Sequence, residues 1–226
     1  MKKTIILTLF LILFLTQTTF AFEVTDLVNR DNPLSENFLP NKLVTVENFP
    51  TSKLIKVEEK MFSPLNDMYS QMKKDNISNV FITSSYRSYD YQTILFKDKI
   101  QEYINIGHNE TEAKNLAQTI VAVPGTSEHQ TGLAIDLSVD GSLEENFENS
   151  DVFKWLSKNA HKYGFILRYP KNKTELTKII YEPWHYRYVG TELATYLYEN
   201  EICLEEYYNP IYRVNSKLFD TLSKIE

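Results

Sequence analysis

A histidine and an aspartate lie seven positions apart in the stretch Ser127-Glu128-His129-Gln130-Thr131-Gly132-Leu133-Ala134-Ile135-Asp136. The segment from Leu133 to Val139 alternates as a strand does, which places Asp136 in a predicted strand and His129 on the loop before it. Gly132 permits the backbone turn that would bring these two side chains together. Burying an unpaired carboxylate costs several kcal/mol. An aspartate in an apolar strand therefore indicates a paired or metal-bound group.

A second cluster, Glu182-Pro183-Trp184-His185, follows about fifty residues later. Two histidines and an aspartate, His129, His185 and Asp136, would fill three positions of a tetrahedral zinc site and leave the fourth for water, as in catalytic sites. In a regular strand Glu182 and His185 would face opposite ways, but Pro183 favours an irregular edge that turns both inward. We expect one zinc ion per chain, with Glu182 as general base and then general acid.

Arg87 supplies a recognition element in the turn-like segment 84–88. A guanidinium fork binds a carboxylate through two hydrogen bonds, so a substrate that ends in a free carboxylate would be held there. The alternative is a structural ion pair. The three candidate zinc ligands, the candidate base Glu182 and Arg87 together predict a zinc carboxypeptidase.

The surrounding pattern predicts an α+β fold, a single domain whose small, mainly antiparallel sheet is flanked by helices with the zinc site at the sheet face. Apolar residues at helical spacing predict an amphipathic helix over 56–74. Strands are predicted at 80–83, 133–139, 165–169 and 178–181. We expect the chain to divide into a signal peptide (1–21), a lead-in segment (22–53), the peptidase domain (54–208) and a C-terminal tail (209–226).

The first residues predict export. Met1-Lys2-Lys3 precedes an apolar run from Ile5 to Leu15, and we expect cleavage after Ala21, with Thr19 and Ala21 as the two small residues of the cleavage site. The run is shorter than the roughly 20 residues of a membrane span. We therefore expect a secreted or cell-envelope protein with no stable membrane span after signal cleavage. The alternative is an uncleaved N-terminal membrane anchor.

Composition excludes some partners. The chain carries a formal net charge of −6 and has no basic stretch, which argues against nucleic acid as a partner. Its one cysteine, Cys203, rules out an intramolecular disulfide and is interpreted as a small buried hydrophobe. We expect a monomer that recognises its substrate in a local pocket.

Three motifs in order resemble those of the VanY-type D-alanyl-D-alanine carboxypeptidases, a zinc peptidase family that includes the LdcB-type L,D-carboxypeptidases. The resemblance spans about residues 54–208 and rests on the segments 84–88 with Gln92, 124–136 and 182–190. It implies that zinc is bound by His129, Asp136 and His185, that Glu182 is the base, that Arg87 holds the terminal carboxylate, and that Gln92 and Ser127 line the peptide pocket.

The sequence departs from the family pattern in turns. Ser85 stands where the family usually has glycine, and Asn172 and Lys178 stand where glycines are expected after residues 169–171. None of these is a proposed ligand.

The resemblance predicts a D,D-carboxypeptidase that removes the terminal D-alanine from peptidoglycan stem pentapeptides. Alternatives are an L,D-carboxypeptidase acting on tetrapeptide stems and, in a different class, a non-catalytic peptidoglycan-binding module. A dipeptidase for free D-alanyl-D-alanine is disfavoured because that pool is cytoplasmic and export is predicted.

Overall fold

The computed structural model describes residues 22–51, 53–209 and 211. The predicted signal peptide and most of the predicted tail lie outside these residues. Within the described part of the chain, no helix has both the length and the apolar character needed to cross a membrane.

The described chain contains short strands interspersed with helices. The strands are β1 (Leu43–Val46), β2 (Ile55–Glu58), β3 (Phe81–Ser84), β4 (Ala134–Ser138), β5 (Phe165–Leu167) and β6 (His185–Tyr188). The helices are α1 (Glu59–Lys74), α2 (Tyr89–Asn105), α3 (Glu110–Ala117), α4 (Asp151–Asn159), α5 (Thr174–Thr177), α6 (Thr191–Asn200) and α7 (Leu204–Tyr208).

The main sheet has four antiparallel strands in the order β3-β4-β6-β5. All five residues of β4 are buried, as expected for a strand with neighbours on both sides. In the register, Asp136 of β4 is opposite His185 of β6 and opposite Ser84 of β3. The predicted α+β fold with a small antiparallel sheet is confirmed, and the sheet itself brings two predicted metal ligands together.

Helix α1 supplies one side of the core, but it begins later than predicted. Met61, Leu65 and Met68 are fully buried at helical spacing, which confirms the amphipathic interpretation. Residues 56–58, however, belong to β2, where Val57 is opposite Val44 of β1. The helical spacing of apolar residues extends from α1 back into β2, because Val57 is buried although it belongs to a strand. Periodicity alone therefore placed the start of the helix three residues too early.

The strand predicted over 178–181 is absent, and β5 pairs directly with β6. The short helix α5 occupies 174–177, and the Ile180 amide donates to the Thr119 carbonyl outside the sheet. Asn172 and Lys178, the two positions where glycine was expected, have φ values of 63° and 61°. The turn thus keeps the left-handed geometry that usually favours glycine.

The lead-in segment packs along the peptidase domain. Strand β1 pairs with β2 across the predicted boundary at residue 53. The Leu34 amide donates to the Gly125 carbonyl at 2.7 Å, and Arg30 Nη2 donates to the Gln118 carbonyl at 2.7 Å. These contacts support the loop that leads into the Ser127 motif.

Candidate metal and catalytic site

A tight turn places His129. Residues Glu128–Thr131 form one turn of 3-10 helix, which ends at Gly132 with φ 72°. A Cβ atom at Gly132 would lie 3.0 Å from the backbone nitrogen of Glu58 and 3.0 Å from the Leu43 side chain. Glycine is therefore required here both by its conformation and by space, and the predicted turn between His129 and the β4 strand is confirmed.

Three buried side chains converge where β4 meets β6. His185 Nδ1 lies 3.0 Å from Asp136 Oδ1, and His129 Nε2 lies 3.2 Å from Asp136 Oδ2. One potential ligand atom from each of the three residues falls within 4.8 Å of the others. The His129 Nε2 atom is buried without a hydrogen-bond partner. Two imidazole nitrogens and one carboxylate, with His129 Nε2 lacking a hydrogen-bond partner, fit a zinc ion.

The carbonyl of Ser85 sets the tautomer of His129. His129 Nδ1 lies 2.7 Å from this oxygen, which can only accept, so Nδ1 carries the proton and the Nε2 lone pair faces Asp136. The Arg87 amide in turn donates to the His129 carbonyl at 3.1 Å. The serine that replaces the family glycine is accommodated, because its hydroxyl accepts from the Lys56 amide.

Glu182 and His185 face the same cavity, as predicted from the irregular backbone expected at Pro183. Strand β6 begins only at His185, and the His185 amide donates to the Glu182 carbonyl across the turn. Glu182 Oε2 lies 3.8 Å from His185 Nδ1. The Glu182 amide donates to the Tyr169 carbonyl, which fixes the turn against the segment after β5.

Burial and neighbouring charges shift the pKa values of this cluster. Burial raises the pKa of Glu182 to about 8, while burial and the Arg87 guanidinium lower the pKa of His129 to about 4. Burial alone would lower the pKa of His185, but the carboxylates around it raise it to about 9. Burial opposes ionisation of Asp136, yet the two imidazoles hold its pKa well below the ordinary range. Of the three candidate ligands, His185 is therefore the one that holds an additional proton at neutral pH, which a divalent cation would replace.

The ligands open onto a cavity of about 250 Å³. Arg87, Ser127 and Glu182 line it with the three candidate ligands, and the remaining wall is mostly apolar, formed by Ile120, Val121, Ala122, Leu143, Tyr169, Ile179 and Trp184. Arg87 Nε is buried without a hydrogen-bond partner. This guanidinium edge is thus available to an anionic ligand.

Gln92 occupies a different place from Ser127. It is buried on α2, and its Nε2 donates to the Ala122 carbonyl at 2.7 Å. Gln92 does not line the cavity but supports the wall formed by residues 120–122. Its predicted role in substrate binding stays a prediction.

One functional candidate was missed from the sequence. Glu128 is fully buried, its Oε2 lies 3.5 Å from His185 Nε2, and its Oε1 accepts from Arg168 Nε at 2.7 Å. Burial opposes ionisation, but Arg168 and Arg187 hold the pKa of the Glu128 carboxyl well below its usual range. The only sequence signal was a glutamate next to a candidate ligand, since its partners lie about 40 and 60 residues away.

A buried cluster of side chains that could hold a cation, with an adjacent glutamate and a guanidinium on the same cavity, is the arrangement of a metal-dependent hydrolase. The VanY family model, described as D-alanyl-D-alanine carboxypeptidase, matches residues 54–191. A D-alanyl-D-alanine carboxypeptidase of Enterococcus faecalis (strain ATCC 700802 / V583) is 40% identical over 183 residues, which cover 81% of this chain and 65% of that relative. The chain belongs to the VanY family.

Two solved structures share the fold. The D,D-pentapeptidase VanY of a VanB-type vancomycin resistance cassette, a variant in complex with Zn(II), is 39% identical with a TM-score of 0.72, covering 82% of this chain and 99% of that one. The LdcB LD-carboxypeptidase is 37% identical with a TM-score of 0.72, covering 82% and 85%. The predicted family resemblance is confirmed.

Proposed function

We propose that this protein is a zinc-dependent D,D-carboxypeptidase that hydrolyses the terminal D-alanine from peptidoglycan stem pentapeptides. The observation that carries the proposal is the convergence of His129, Asp136 and His185 on a cavity that Glu182 and Arg87 also line. The similarity to a D,D-pentapeptidase supports the choice of substrate.

In this proposal His129 Nε2, one Asp136 oxygen and His185 Nδ1 hold the zinc ion. When bound, zinc supplies Lewis-acid activation of a water and of the scissile carbonyl. Glu182 takes a proton from the attacking water and passes it to the amine nitrogen of the departing D-alanine. In the metal-free site burial raises the pKa of Glu182 to about 8, and the positive charge of a bound cation would lower it, so that the carboxylate is free to accept a proton.

Arg87 restricts cleavage to the end of the peptide. Its guanidinium binds the terminal carboxylate, and the reacting carbonyl is then one residue away, within reach of Glu182. The apolar wall around Val121 and Ile179 takes the small methyl side chains. Ser127, which also lines the cavity, is proposed to contact the peptide backbone.

L,D-carboxypeptidase activity on tetrapeptide stems is the second candidate, because the LdcB structure matches with the same TM-score as the D,D-pentapeptidase. The two activities differ in the stereochemistry next to the scissile bond. The purified protein should be incubated with pentapeptide and tetrapeptide stems while free D-alanine is measured. We expect release from the pentapeptide; release from the tetrapeptide alone would assign the protein to the L,D class.

A non-catalytic peptidoglycan-binding module is the alternative from another class. It would bind stem peptides without releasing D-alanine, with or without added zinc. The complete set of metal, base and carboxylate-binding side chains on one cavity favours the enzyme.

We propose an extracytoplasmic location, with residues 1–21 as a secretory signal, 22–53 as a lead-in, 54–208 as the peptidase domain and 209–226 as a tail. The basic start and short apolar run at the N-terminus support export. The mature protein is proposed to act as a monomer on stem peptides.

A further inference from the structure

A buried carboxylate stands behind the ligand His185, on the side away from the cavity. His185 Nδ1 faces Asp136 and Glu182, while His185 Nε2 lies 3.5 Å from Glu128 Oε2. His185 Nε2 and Glu128 Oε2 are both buried, and neither has a hydrogen-bond partner elsewhere. When Nδ1 binds a cation, the ring proton must reside on Nε2, where it faces the Glu128 carboxylate. A ligand histidine is commonly oriented by such a second hydrogen bond.

Arg168 holds Glu128 in this position. Its Nε donates to Glu128 Oε1 at 2.7 Å, and its two terminal nitrogens donate to the carboxylate of Glu205 at 2.8 and 2.6 Å. A guanidinium that bridges two carboxylates in this way has a fixed plane and direction. All three side chains are almost completely buried.

Glu205 lies on α7, outside the part of the chain that the VanY family model matches. Asn29 Nδ2 from the lead-in segment donates to Glu205 Oε1 at 3.2 Å. Arg187, which lies 3.2 Å from Glu128, donates to the carbonyls of Val24 and Asp26. Segments before and after the matched region therefore contact Arg187 and Arg168, the two arginines that pair with the Glu128 carboxylate.

We propose that Glu128 is a positioning residue for the metal ligand His185, and that Glu205 maintains this position through Arg168. The proposal rests on the function proposed above only in taking His185 as a zinc ligand. It makes residues 24–29 and α7 part of the support of the metal site.

The physical consequence follows from burial. A Glu205 side chain that loses its charge can no longer accept from both terminal nitrogens of Arg168, and a buried guanidinium without acceptors is costly. Arg168 will then reorient, and Glu128 loses the donor that aims it. Loss of a carboxylate that orients a ligand histidine typically weakens metal binding about 10- to 100-fold.

Zinc affinity tests the proposal without relying on catalysis. Glu128→Gln and Glu205→Gln are compared with wild type by competition with a chromophoric chelator, and the visible spectra of the cobalt(II)-substituted proteins are recorded. We expect about 10-fold or greater loss of zinc affinity in both variants, with an altered cobalt spectrum. Wild-type affinity and spectrum in a folded Glu205→Gln variant would overturn the proposal.

Glu206→Gln is the matched control, because it is the same substitution at a buried neighbour on the same helix. Glu206 accepts from Lys173 Nζ and from the Cys203 amide at 2.9 Å each. We expect zinc affinity and cobalt spectrum to match wild type. If Glu206→Gln lowers the zinc affinity as much as Glu205→Gln does, the loss reflects a general disturbance of α7, and the specific role proposed for Glu205 is contradicted.

Asn29→Asp replaces Glu205→Gln if the latter does not fold. The change keeps an oxygen for the local turn, in which Asn29 Oδ1 accepts from Asp31 and Asn32, and puts a carboxylate oxygen against Glu205. Weaker zinc binding by this folded variant supports the proposal, and unchanged binding contradicts it. A wild-type protein that binds zinc but releases no D-alanine would refute the proposed function and leave this test intact.

Discussion

Asp136 and His185 are opposite each other in the pairing of β4 with β6, and their Oδ1 and Nδ1 atoms lie 3.0 Å apart. The sheet register thus places a carboxylate against an imidazole without help from a loop. The third candidate ligand, His129, is added by the turn that ends at Gly132. Two candidate ligands on a sheet and one on a rigid turn form a site that is largely preorganised.

Zinc binding should release protons in a pH-dependent way. The pKa of His185 is raised to about 9, so its imidazole holds a proton at neutral pH that zinc must displace. Apparent zinc affinity should rise by up to about tenfold per unit between about pH 7 and 9 and then level off. Calorimetric titration with zinc in buffers of different ionisation enthalpy measures the number of protons released per zinc ion bound. A count near zero at pH 7 would contradict the raised pKa.

Replacement of the proposed base should separate catalysis from metal binding. Glu182→Gln should lower kcat for D-alanine release by about 10²- to 10⁴-fold while the zinc content stays at one per chain. Glu175→Gln, at an exposed position on α5, is the control and should keep wild-type kcat. Wild-type kcat in Glu182→Gln would show that another group transfers the proton.

The terminal carboxylate of the substrate and the guanidinium of Arg87 should act as a pair. Arg87→Lys keeps the charge but loses the fork, so kcat/KM for a free pentapeptide should fall about 10- to 100-fold. A pentapeptide with an amidated C-terminus should be a poor substrate for both proteins, with little further loss in the variant. If the free-energy losses in kcat/KM from Arg87→Lys and from C-terminal amidation simply add, Arg87 contacts a different part of the peptide.

The turn at Gly132 should be intolerant of a side chain. Gly132→Ala introduces left-handed strain and a 3.0 Å contact with the backbone of Glu58, and we expect a loss of about 1–3 kcal/mol in the free energy of unfolding. Gly141→Ala is the matched control, since φ there is +89° but nothing lies within 4 Å of the new Cβ. Urea unfolding in the presence of a chelator measures both. Equal losses would show that only backbone strain matters at Gly132.

The local pattern around the metal cluster was sufficient to predict its geometry. Alternation placed Asp136 in a strand, Gly132 marked the turn, and Pro183 indicated that Glu182 and His185 face the same way. Each of these signals acts within a few residues, where backbone preference and burial decide the structure.

Features of the structure that depend on residues far apart in the chain could not be predicted from the sequence. Val57 fits a helical period, yet it forms a strand because Val44 pairs with it. The proposed role of Glu128 depends on Arg168, and through it on Glu205, and these residues come together only in the folded chain. No local pattern specifies which buried carboxylate a given arginine will meet.

The mass of a defined muropeptide after treatment with the protein tests the proposed activity most directly. A pentapeptide-bearing muropeptide should lose the mass of one alanine residue when the zinc-loaded protein is added, and should keep its mass when a chelator is present. An unchanged mass with the zinc-loaded protein, or the same loss in the presence of a chelator that has removed the metal, would contradict a zinc D,D-carboxypeptidase.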